Sequence, residues 1–256
     1  MKIKSNYHTH TTRCGHAYGE DEQYVLAAIE AGFDILGFAE HMAYPTLDFE
    51  GERMSNESVD GYIKMVAKYK EKYKGTIDLQ LGFEFEYYDG FDEYLNHMRE
   101  ISDFMIIGQH FKRIDGYSYD FLSTDEDVIE YATAIEKACD KGLCDIIAHP
   151  DYFMLGRRDF SQACKEAAHI IAKAAQRNNV LIEINLNGLR YGKIQYADKL
   201  LYPYPLREMY EIFSQYDVKF IYGYDAHKPI TLLEDWRIVE VNKILEGLDL
   251  EIVDRI

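Results

Sequence analysis

Histidines placed at the ends of apolar runs constrain this chain more than any other feature. Seven of its nine histidines follow apolar, strand-like stretches, and two carboxylates share that placement. These nine predicted ligands are His8, His10, His16, His41, Glu84, His110, His149, Asp225 and His227. Imidazole and carboxylate are ligand types that hold catalytic metals, and nine of them exceed the needs of one tetrahedral ion. The pattern therefore predicts a site for several metals, and with it a metallohydrolase.

The apolar runs alternate with stretches of helical periodicity along the whole chain. The predicted strands begin near Ile3, Ile35, Ile77, Phe104, Asp145, Val180 and Lys219. Their starts are about 36 residues apart on average, which suits repeated strand–helix units of roughly 30 residues or more. Regular alternation of strand and helix predicts a parallel sheet with helices outside it, an α/β fold.

The positions of the predicted ligands decide between an open sheet and a closed barrel. They stand at the carboxyl ends of six of the seven predicted strands. In a closed barrel those ends converge on one mouth, whereas in an open sheet they lie along a wide edge. Convergence favours a seven-stranded (βα)7 TIM-like barrel formed by residues 1–256 as a single domain. The segment after Glu246, GLDLEIVDRI, is expected to be a short tail that covers part of the barrel.

Two of the motifs repeat the same spacing. His8 and His10 lie two residues apart after an apolar strand, so both imidazoles point to one face. Asp225 and His227 show the same spacing near the other end of the chain. His16 follows the first pair by six residues. Each motif alone is weak evidence for a metal, but together they favour ligands from both ends of the chain.

Strand alternation also separates ligands from supporting residues. Glu40 and His41 are adjacent, so Glu40 points away from the face that His41 presents. Glu84 and Glu86 share one face, and one of them suffices to bridge two ions. We predict Glu84 as the ligand, because it lies deeper in the strand, and Glu86 stays open as the alternative.

The composition limits the partners of the chain. Its formal charge is −17, which opposes sequence-independent binding to nucleic acid because that binding relies on Lys and Arg. No apolar run approaches the roughly 18 residues of a membrane span, and MKIKSNYHTH leaves no room for a cleavable signal peptide. The four cysteines lack CxxC spacing, so reduced thiols in a cytoplasmic protein are expected. The oligomeric state stays open.

The chemistry is expected to come from the metals. The sequence has no nucleophilic-serine elbow, Walker loop or dinucleotide glycine fingerprint. A metal-bound hydroxide is therefore the expected nucleophile, and no side chain is assigned as catalytic acid. Three divalent ions carry more charge than two carboxylates neutralise, which favours a dianionic phosphate monoester as a small-molecule substrate. Arg157, Arg158 and Arg190 lie in loops after strands and are candidates for binding the phosphate.

The motifs and their order resemble the polymerase and histidinol phosphatase (PHP) superfamily. The matching motifs are HTH, FAEH, GFE, GQH, AHPD and DAH, which together span almost the whole chain. The resemblance implies a distorted seven-stranded barrel with three divalent metal ions, of which zinc, iron and manganese all suit these ligands.

Carried over motif by motif, the resemblance implies three groups of ligands. The first ion would be held by His8, His10, Glu84 and Asp225. The second would share Glu84 and add His110 and His149. The third would be held by His16, His41 and His227.

Within the superfamily, the chain is most similar to the stand-alone histidinol-phosphatase branch. The opening HTHTTRCGHA, the length and the EINLNG stretch carry this similarity. It implies hydrolysis of L-histidinol phosphate to L-histidinol in histidine biosynthesis. The fourth motif, IGQHF, differs from the serine-rich form expected in that branch. This difference concerns the identity of the substrate and not the metal site.

Three alternatives stay open at this point. Within the same superfamily, the chain would be a nuclease, or a phosphoesterase acting on nucleotides or phosphotyrosine. In a different class, it would be a metal-binding module without catalytic activity, which an intact set of ligands disfavours. An amidohydrolase would need a metal-bridging lysine, and no lysine stands at the end of a predicted strand.

Overall fold

The computed structural model of the chain describes residues 3–45, 47–197 and 199–256. Within these ranges the strands are β1 (Ser5–Asn6), β2 (Ile35–His41), β3 (Asp78–Phe85), β4 (Phe104–Ile107), β5 (Phe111–Arg113), β6 (Gly116–Ser118), β7 (Ile146–Ile147), β8 (Leu181–Asn185), β9 (Ile194–Tyr196), β10 (Lys199–Leu201), β11 (Lys219–Gly223) and β12 (Glu251–Ile252). The α-helices of the same ranges are α1 (Asp21–Ala31), α2 (Val59–Lys72), α3 (Asp92–Ile101), α4 (Asp125–Asp140), α5 (Gln162–Asn178), α6 (Arg207–Phe213) and α7 (Trp236–Ile244). Short 3-10 helices lie at Thr12–Cys14, Asn56–Ser58, Tyr152–Gly156, Asn187–Tyr191 and Pro229–Leu233.

One parallel sheet organises the molecule. Its strands lie in the order β1-β2-β3-β4-β7-β8-β11-β12, and β5-β6 and β9-β10 form two separate hairpins. Strand and helix alternate along the sheet, so the predicted α/β fold is confirmed. The count of seven strands is not confirmed, because the described residues contain β12 as an eighth strand of the sheet. β12 is two residues long, too short to show a period in the sequence, and it lies in the predicted covering tail.

The sheet curls until its first strand approaches β11. Beyond β1 and β11, Thr9 and Ala226 form an isolated parallel bridge. The Ala226 N–H donates to the carbonyl of His8 over 3.1 Å, and the His10 N–H donates to the carbonyl of Ala226 over 3.0 Å. The carboxyl ends of the strands therefore converge, as the distribution of the histidines requires.

A small apolar cluster fills the inside of the curl below those strand ends. It consists of Tyr7, Ile35, Ala39, Phe104, Ile106, Ile146, Ala148, Leu181 and Ile221. Phe104 fits because Gly82 lacks a side chain: a Cβ on Gly82 would lie 2.3 Å from the Phe104 ring. The larger core lies between the sheet and the helices. The inner cluster therefore supports the polar strand ends from below through buried apolar packing.

The helices begin and end where their sequences indicate. Thr124 and Asp127 form a capping box that starts α4. Asn179 ends α5 in the left-handed conformation at φ 53°, as the Asn178-Asn179 pair predicts. Among the helices of the described ranges, none combines the length and the apolar character that crossing a bilayer requires.

Candidate metal centre

The strand ends bring all nine predicted ligands to the same end of the sheet. His41 ends β2 and Glu84 lies in β3, whereas the other seven follow β1, β4, β7 and β11. Two of them sit on backbone with positive φ, His149 at 25° and Asp225 at 47°. L-residues rarely adopt this conformation, and where they do it often marks a functional site. The fold therefore holds these two side chains at some cost in local strain.

Four ligand atoms surround a common point at the base of the site. Nε2 of His8 lies 3.4 Å from Oε2 of Glu84 and 3.6 Å from Oδ1 of Asp225. Nε2 of His10 lies 3.4 Å from the same oxygen of Glu84 and 3.2 Å from that of Asp225. Ligands about 2.1 Å from one tetrahedral ion lie roughly 3.4 Å apart, so these separations suit a shared cation.

The second oxygen of Glu84 faces a different pair of histidines. Its Oε1 lies 2.9 Å from Nε2 of His149 and 3.6 Å from Nε2 of His110. His41 approaches from the side, with Nδ1 3.0 Å from Oε2 of Glu84. The two oxygens of one carboxylate therefore face separate sets of imidazoles, which is the arrangement of a bridging ligand.

A third group lies nearer the mouth. Suitable ligand atoms of His10, His41 and His227 lie within 4.8 Å of one another, and so do those of Cys14, His16 and His227. Cys14 was not among the predicted ligands, and its Sγ donates to the carbonyl of Thr11 over 3.2 Å. His16 therefore lies close to His227, which in turn lies close to His10 and His41.

The buried ligand atoms lack other partners, and this observation tests their fit to metal ions. Within the described residues, no hydrogen bond reaches Nε2 of His8, Nε2 of His10, Oε2 of Glu84, Oδ1 of Asp225 or Nε2 of His227. Leaving such groups buried and unpaired costs free energy, and metal ions would satisfy all of them. The donor set therefore fits divalent cations.

Electrostatics keep the two central carboxylates ionised. Burial by itself raises the pKa of the Glu84 carboxyl, but His8, His110 and His41 lower that pKa well below its ordinary value. Burial also raises the pKa of Asp225, and the neighbouring histidines, His8 first, lower it well below its usual range. Burial lowers the pKa of His227 to about 4, so its imidazole stays neutral and keeps a lone pair for a metal.

Two further carboxylates support the predicted ligands through contacts with their backbone or their rings. Glu40 accepts a hydrogen bond from the backbone N–H of Thr11 over 2.9 Å and lies 3.5 Å from Nδ1 of His10. Glu86 pairs with Arg53 and accepts the backbone N–H of His110 over 3.2 Å. The supporting position expected for Glu40 is thus what the structure shows. Arg53 occupies Oε2 of Glu86, and the backbone N–H groups of His110 and Phe111 occupy its Oε1.

A cavity of about 220 Å³ opens above the predicted ligands. Of the three candidate arginines, only Arg190 lines it. Arg157 forms ion pairs with Asp125 at 2.8 Å and Asp159 at 3.3 Å, and Arg158 donates to the carbonyl of Leu155 over 3.0 Å. Both line a separate depression. The loop after β7 therefore turns Arg157 and Arg158 away from the cavity, and of the three candidates for binding phosphate Arg190 alone reaches it.

Several residues of the cavity wall were not predicted, among them Arg53, Tyr152, Tyr191 and Tyr204. Besides Arg190, the wall also includes Phe111 and Asp120, which the sequence offers as candidates for stacking on a substrate ring and for receiving a substrate ammonium. Tyr152 packs edge-on against the His110 ring, with centroids 4.9 Å apart. In a chain with 22 tyrosines, no local pattern distinguishes those that reach the cavity. The sequence pointed to this region through Arg190 and through the loops that follow His110 and His149.

The family model for the PHP domain matches residues 6–187. The chain belongs to the PHP domain family. This match covers β1 to β8 and the strand ends that carry seven of the nine predicted ligands. The resemblance seen in the sequence motifs is therefore confirmed.

Relatives of this PHP domain protein include two proteins that carry the name histidinol-phosphatase, one of them as probable. The chain is 26% identical over 232 residues to a Deinococcus radiodurans protein named "Probable histidinol-phosphatase", covering 87% of this chain and 85% of the relative. It is 23% identical over 258 residues to the histidinol-phosphatase of Bacillus subtilis, covering 88% and 94% of the two chains.

A solved structure shares the fold of this PHP domain protein. The histidinol phosphate phosphatase of Lactococcus lactis, crystallised with zinc, L-histidinol and phosphate, superposes with a TM-score of 0.72 at 18% identity. The superposition covers 98% of this chain and 95% of the other. At this identity the likeness establishes the shared fold.

Proposed function

We propose that this PHP domain protein is a metal-dependent phosphomonoesterase that hydrolyses L-histidinol phosphate to L-histidinol and phosphate in histidine biosynthesis. The observation that carries the proposal is Glu84, whose two oxygens face separate groups of imidazoles. Its Oε2 lies 3.4 Å from Nε2 of His8 and of His10, which have no hydrogen-bond partner in the described residues, and its Oε1 lies 2.9 Å from Nε2 of His149. The relatives of this chain that carry the name histidinol-phosphatase support the choice of substrate.

The nine predicted ligands are proposed to hold three divalent cations. The first group is His8, His10, Glu84 and Asp225; the second is Glu84, His110 and His149; the third is His16, His41 and His227. Zinc, iron and manganese all suit these ligands, and the zinc in the Lactococcus lactis structure favours zinc. When bound, such cations lower the pKa of water towards neutrality and neutralise the charge of a phosphate ester.

Arg190 and Asp120 are proposed to orient the substrate from the cavity wall. Arg190 carries a planar guanidinium with several donors, the group that pairs best with phosphate oxygens. Asp120 lines the cavity and forms no ion pair within 4.0 Å in the described residues, so its carboxylate is free for a substrate ammonium. Asp115, by contrast, pairs with Arg113 at 3.1 Å. The two charges would fix opposite ends of an amino-alcohol phosphate.

Residues 1–256 are proposed to act as one PHP-type domain, and the cytoplasm is proposed as the place of action. The four cysteines are free and buried, which suits a reducing compartment.

Phosphate release from L-histidinol phosphate by manganese- or zinc-loaded protein tests this function. A nucleoside monophosphate and single-stranded DNA serve as competing substrates in parallel reactions. We expect a kcat/KM near or above about 10⁴ M⁻¹s⁻¹ on L-histidinol phosphate alone. Equal, slow turnover of all monoesters would leave a phosphoesterase but reject the substrate. Preferential cleavage of DNA would replace the proposal with a nuclease.

A further inference from the structure

Glu183 lies in β8 beneath the predicted ligands and does not line the cavity. Its Oε1 accepts a hydrogen bond from Nδ1 of His8 over 2.7 Å, and both side chains are 1% exposed. The carboxylate accepts only, so this contact places the imidazole proton on Nδ1 of His8. The lone pair of Nε2 then points to Glu84 and Asp225, the direction that a metal ligand requires.

The second oxygen of Glu183 connects two other predicted ligands. Its Oε2 accepts the backbone N–H of His149 over 2.9 Å and the side-chain amide of Asn185 over 2.8 Å. The same amide of Asn185 lies 3.4 Å from Oδ2 of Asp225, which also accepts from the side-chain amide of Asn187 over 3.1 Å. His149 and Asp225 are the two predicted ligands with positive φ. Glu183 thus links the turns at which the backbone is strained.

The neighbouring strand leaves room for this carboxylate. A Cβ on Gly223 of β11 would lie 1.7 Å from Oε1 of Glu183 and 2.5 Å from its Cδ. Tyr210 donates to the backbone carbonyl of Glu183 over 2.6 Å and holds β8 from the other side. Two buried glutamates outside the set of predicted ligands also approach imidazoles: Glu40 lies 3.5 Å from Nδ1 of His10, and Glu86 lies 3.6 Å from Nδ1 of His110. The contact of Glu183 with His8, at 2.7 Å, is shorter than either.

We propose that Glu183 is a positioning residue that sets the affinity of the centre for the cation held by His8. It does so by fixing the protonated nitrogen of His8 and by holding the turn at His149. Partners of this kind behind a metal-ligating histidine typically change metal affinity about 10- to 100-fold. The inference rests on the proposed metal centre, but it does not depend on the identity of the substrate.

Glu183→Gln is the first test, because it keeps the volume of the side chain and removes its charge. Zinc affinity is measured by competition with a chromogenic chelator, in the absence of any substrate. We expect binding about 10- to 100-fold weaker than in the unmodified protein. Melting of the metal-free proteins checks that both are folded. Glu166→Gln, an exposed change on α5, is the matched control for the loss of one charge and is expected to bind zinc normally.

Gly223→Ala tests the same contact without changing any polar group, because its methyl displaces the Glu183 carboxylate. It is expected to weaken zinc binding in the same direction. Normal zinc affinity in folded Glu183→Gln and Gly223→Ala proteins would overturn the proposal.

If neither variant folds, long-range ¹H–¹⁵N spectra of the zinc-loaded, unmodified protein decide. His8 is assigned by its absence from the spectrum of His8→Gln. A proton on Nδ1 of His8 that exchanges slowly with water, as its buried hydrogen bond to Glu183 requires, supports the proposal. A rapidly exchanging proton on Nδ1, or a proton on Nε2, overturns it. Affinity and tautomer are both read without substrate, so failure to hydrolyse L-histidinol phosphate would reject the proposed function and leave this inference standing.

Discussion

At Glu84 and Glu86, two chemically identical side chains on one strand end have different surroundings. Both oxygens of Glu84 face imidazole nitrogens, whereas Glu86 pairs with Arg53 and accepts two backbone N–H groups. Strand alternation predicts the shared face, because residues two apart point the same way. The choice between them depends on Arg53, which lies more than 30 residues away in sequence. Local sequence therefore favours Glu84 but does not decide it.

Removing one central ligand should empty the site without unfolding the chain. In His10→Ala or Asp225→Ala we expect most of the metal to be lost and activity to fall by at least about 100-fold, since even indirect metal partners reach that value. Metal content measured by elemental analysis, together with phosphate release, checks this. His97→Ala, an exposed change on α3, is the control and should have no effect. Full turnover in a variant shown to bind the usual metals would exclude the proposed site.

The arginines give a second prediction at the scale of single residues. Arg190→Ala should raise KM for a phosphate monoester by about 10- to 100-fold, because a hydrogen bond to a charged group contributes roughly 1.5–3 kcal/mol. Arg158→Ala is the control, since Arg158 lines a different depression. Steady-state kinetics on both variants measure the difference. An equal rise in KM for Arg158→Ala would mean that the loop after β7 reaches the substrate.

The elements bring the ligands together through the ends of parallel strands. β2, β3 and β4 are neighbours in the sheet, and Glu84 is paired in register with both His41 and Ile106. Glycines at these ends leave space for carboxylates, as Gly108 does for Glu84 and Gly223 for Glu183. A glycine after an apolar run is therefore part of the site even though it contributes no ligand.

Gly108→Ala tests this role of glycine. Its Cβ would lie 1.9 Å from Oε1 of Glu84, so the carboxylate must move. We expect lower metal content and lower activity, measured as for the ligand variants. Gly61→Ala on α2 is the matched control, because no atom lies within 4 Å of its Cβ. That change should raise the free energy of unfolding by about 0.5–1 kcal/mol and leave activity unchanged. Normal metal binding in Gly108→Ala would show that Glu84 tolerates a shift.

At the scale of the whole molecule, backbone pairing and hydrogen bonds stabilise the curled sheet at both ends of its strands. Near the metal centre, the bridge between Thr9 and Ala226 joins the segments that follow β1 and β11. At the opposite end, β12 pairs with β11, and the Lys4 N–H donates to Asp254 over 3.2 Å. Val253 packs against the inner apolar cluster. The last residues therefore contribute to the stability of the sheet rather than to the site.

Deleting residues 251–256 should lower the stability of the fold without removing metal from the site. We expect the free energy of unfolding to fall by about 2 kcal/mol or more, because several hydrogen bonds and the partial burial of Val253 against the inner apolar cluster are lost. Urea denaturation measures this fall. Metal content should stay normal, since the predicted ligands lie at the other end of the strands. Loss of metal with an unchanged free energy of unfolding would mean that the tail supports the metal centre rather than the sheet.

The sequence by itself determined which predicted strand each motif follows, the types of ligand and the family. Those features are local, since an apolar run followed by a histidine reports both a strand and its carboxyl end. Only the tertiary structure decided that Arg190 rather than Arg157 and Arg158 lines the cavity. It also showed that Glu183 lies behind His8, 175 residues away in sequence. Such contacts depend on how loops turn and which strands adjoin, and neither leaves a period in the sequence.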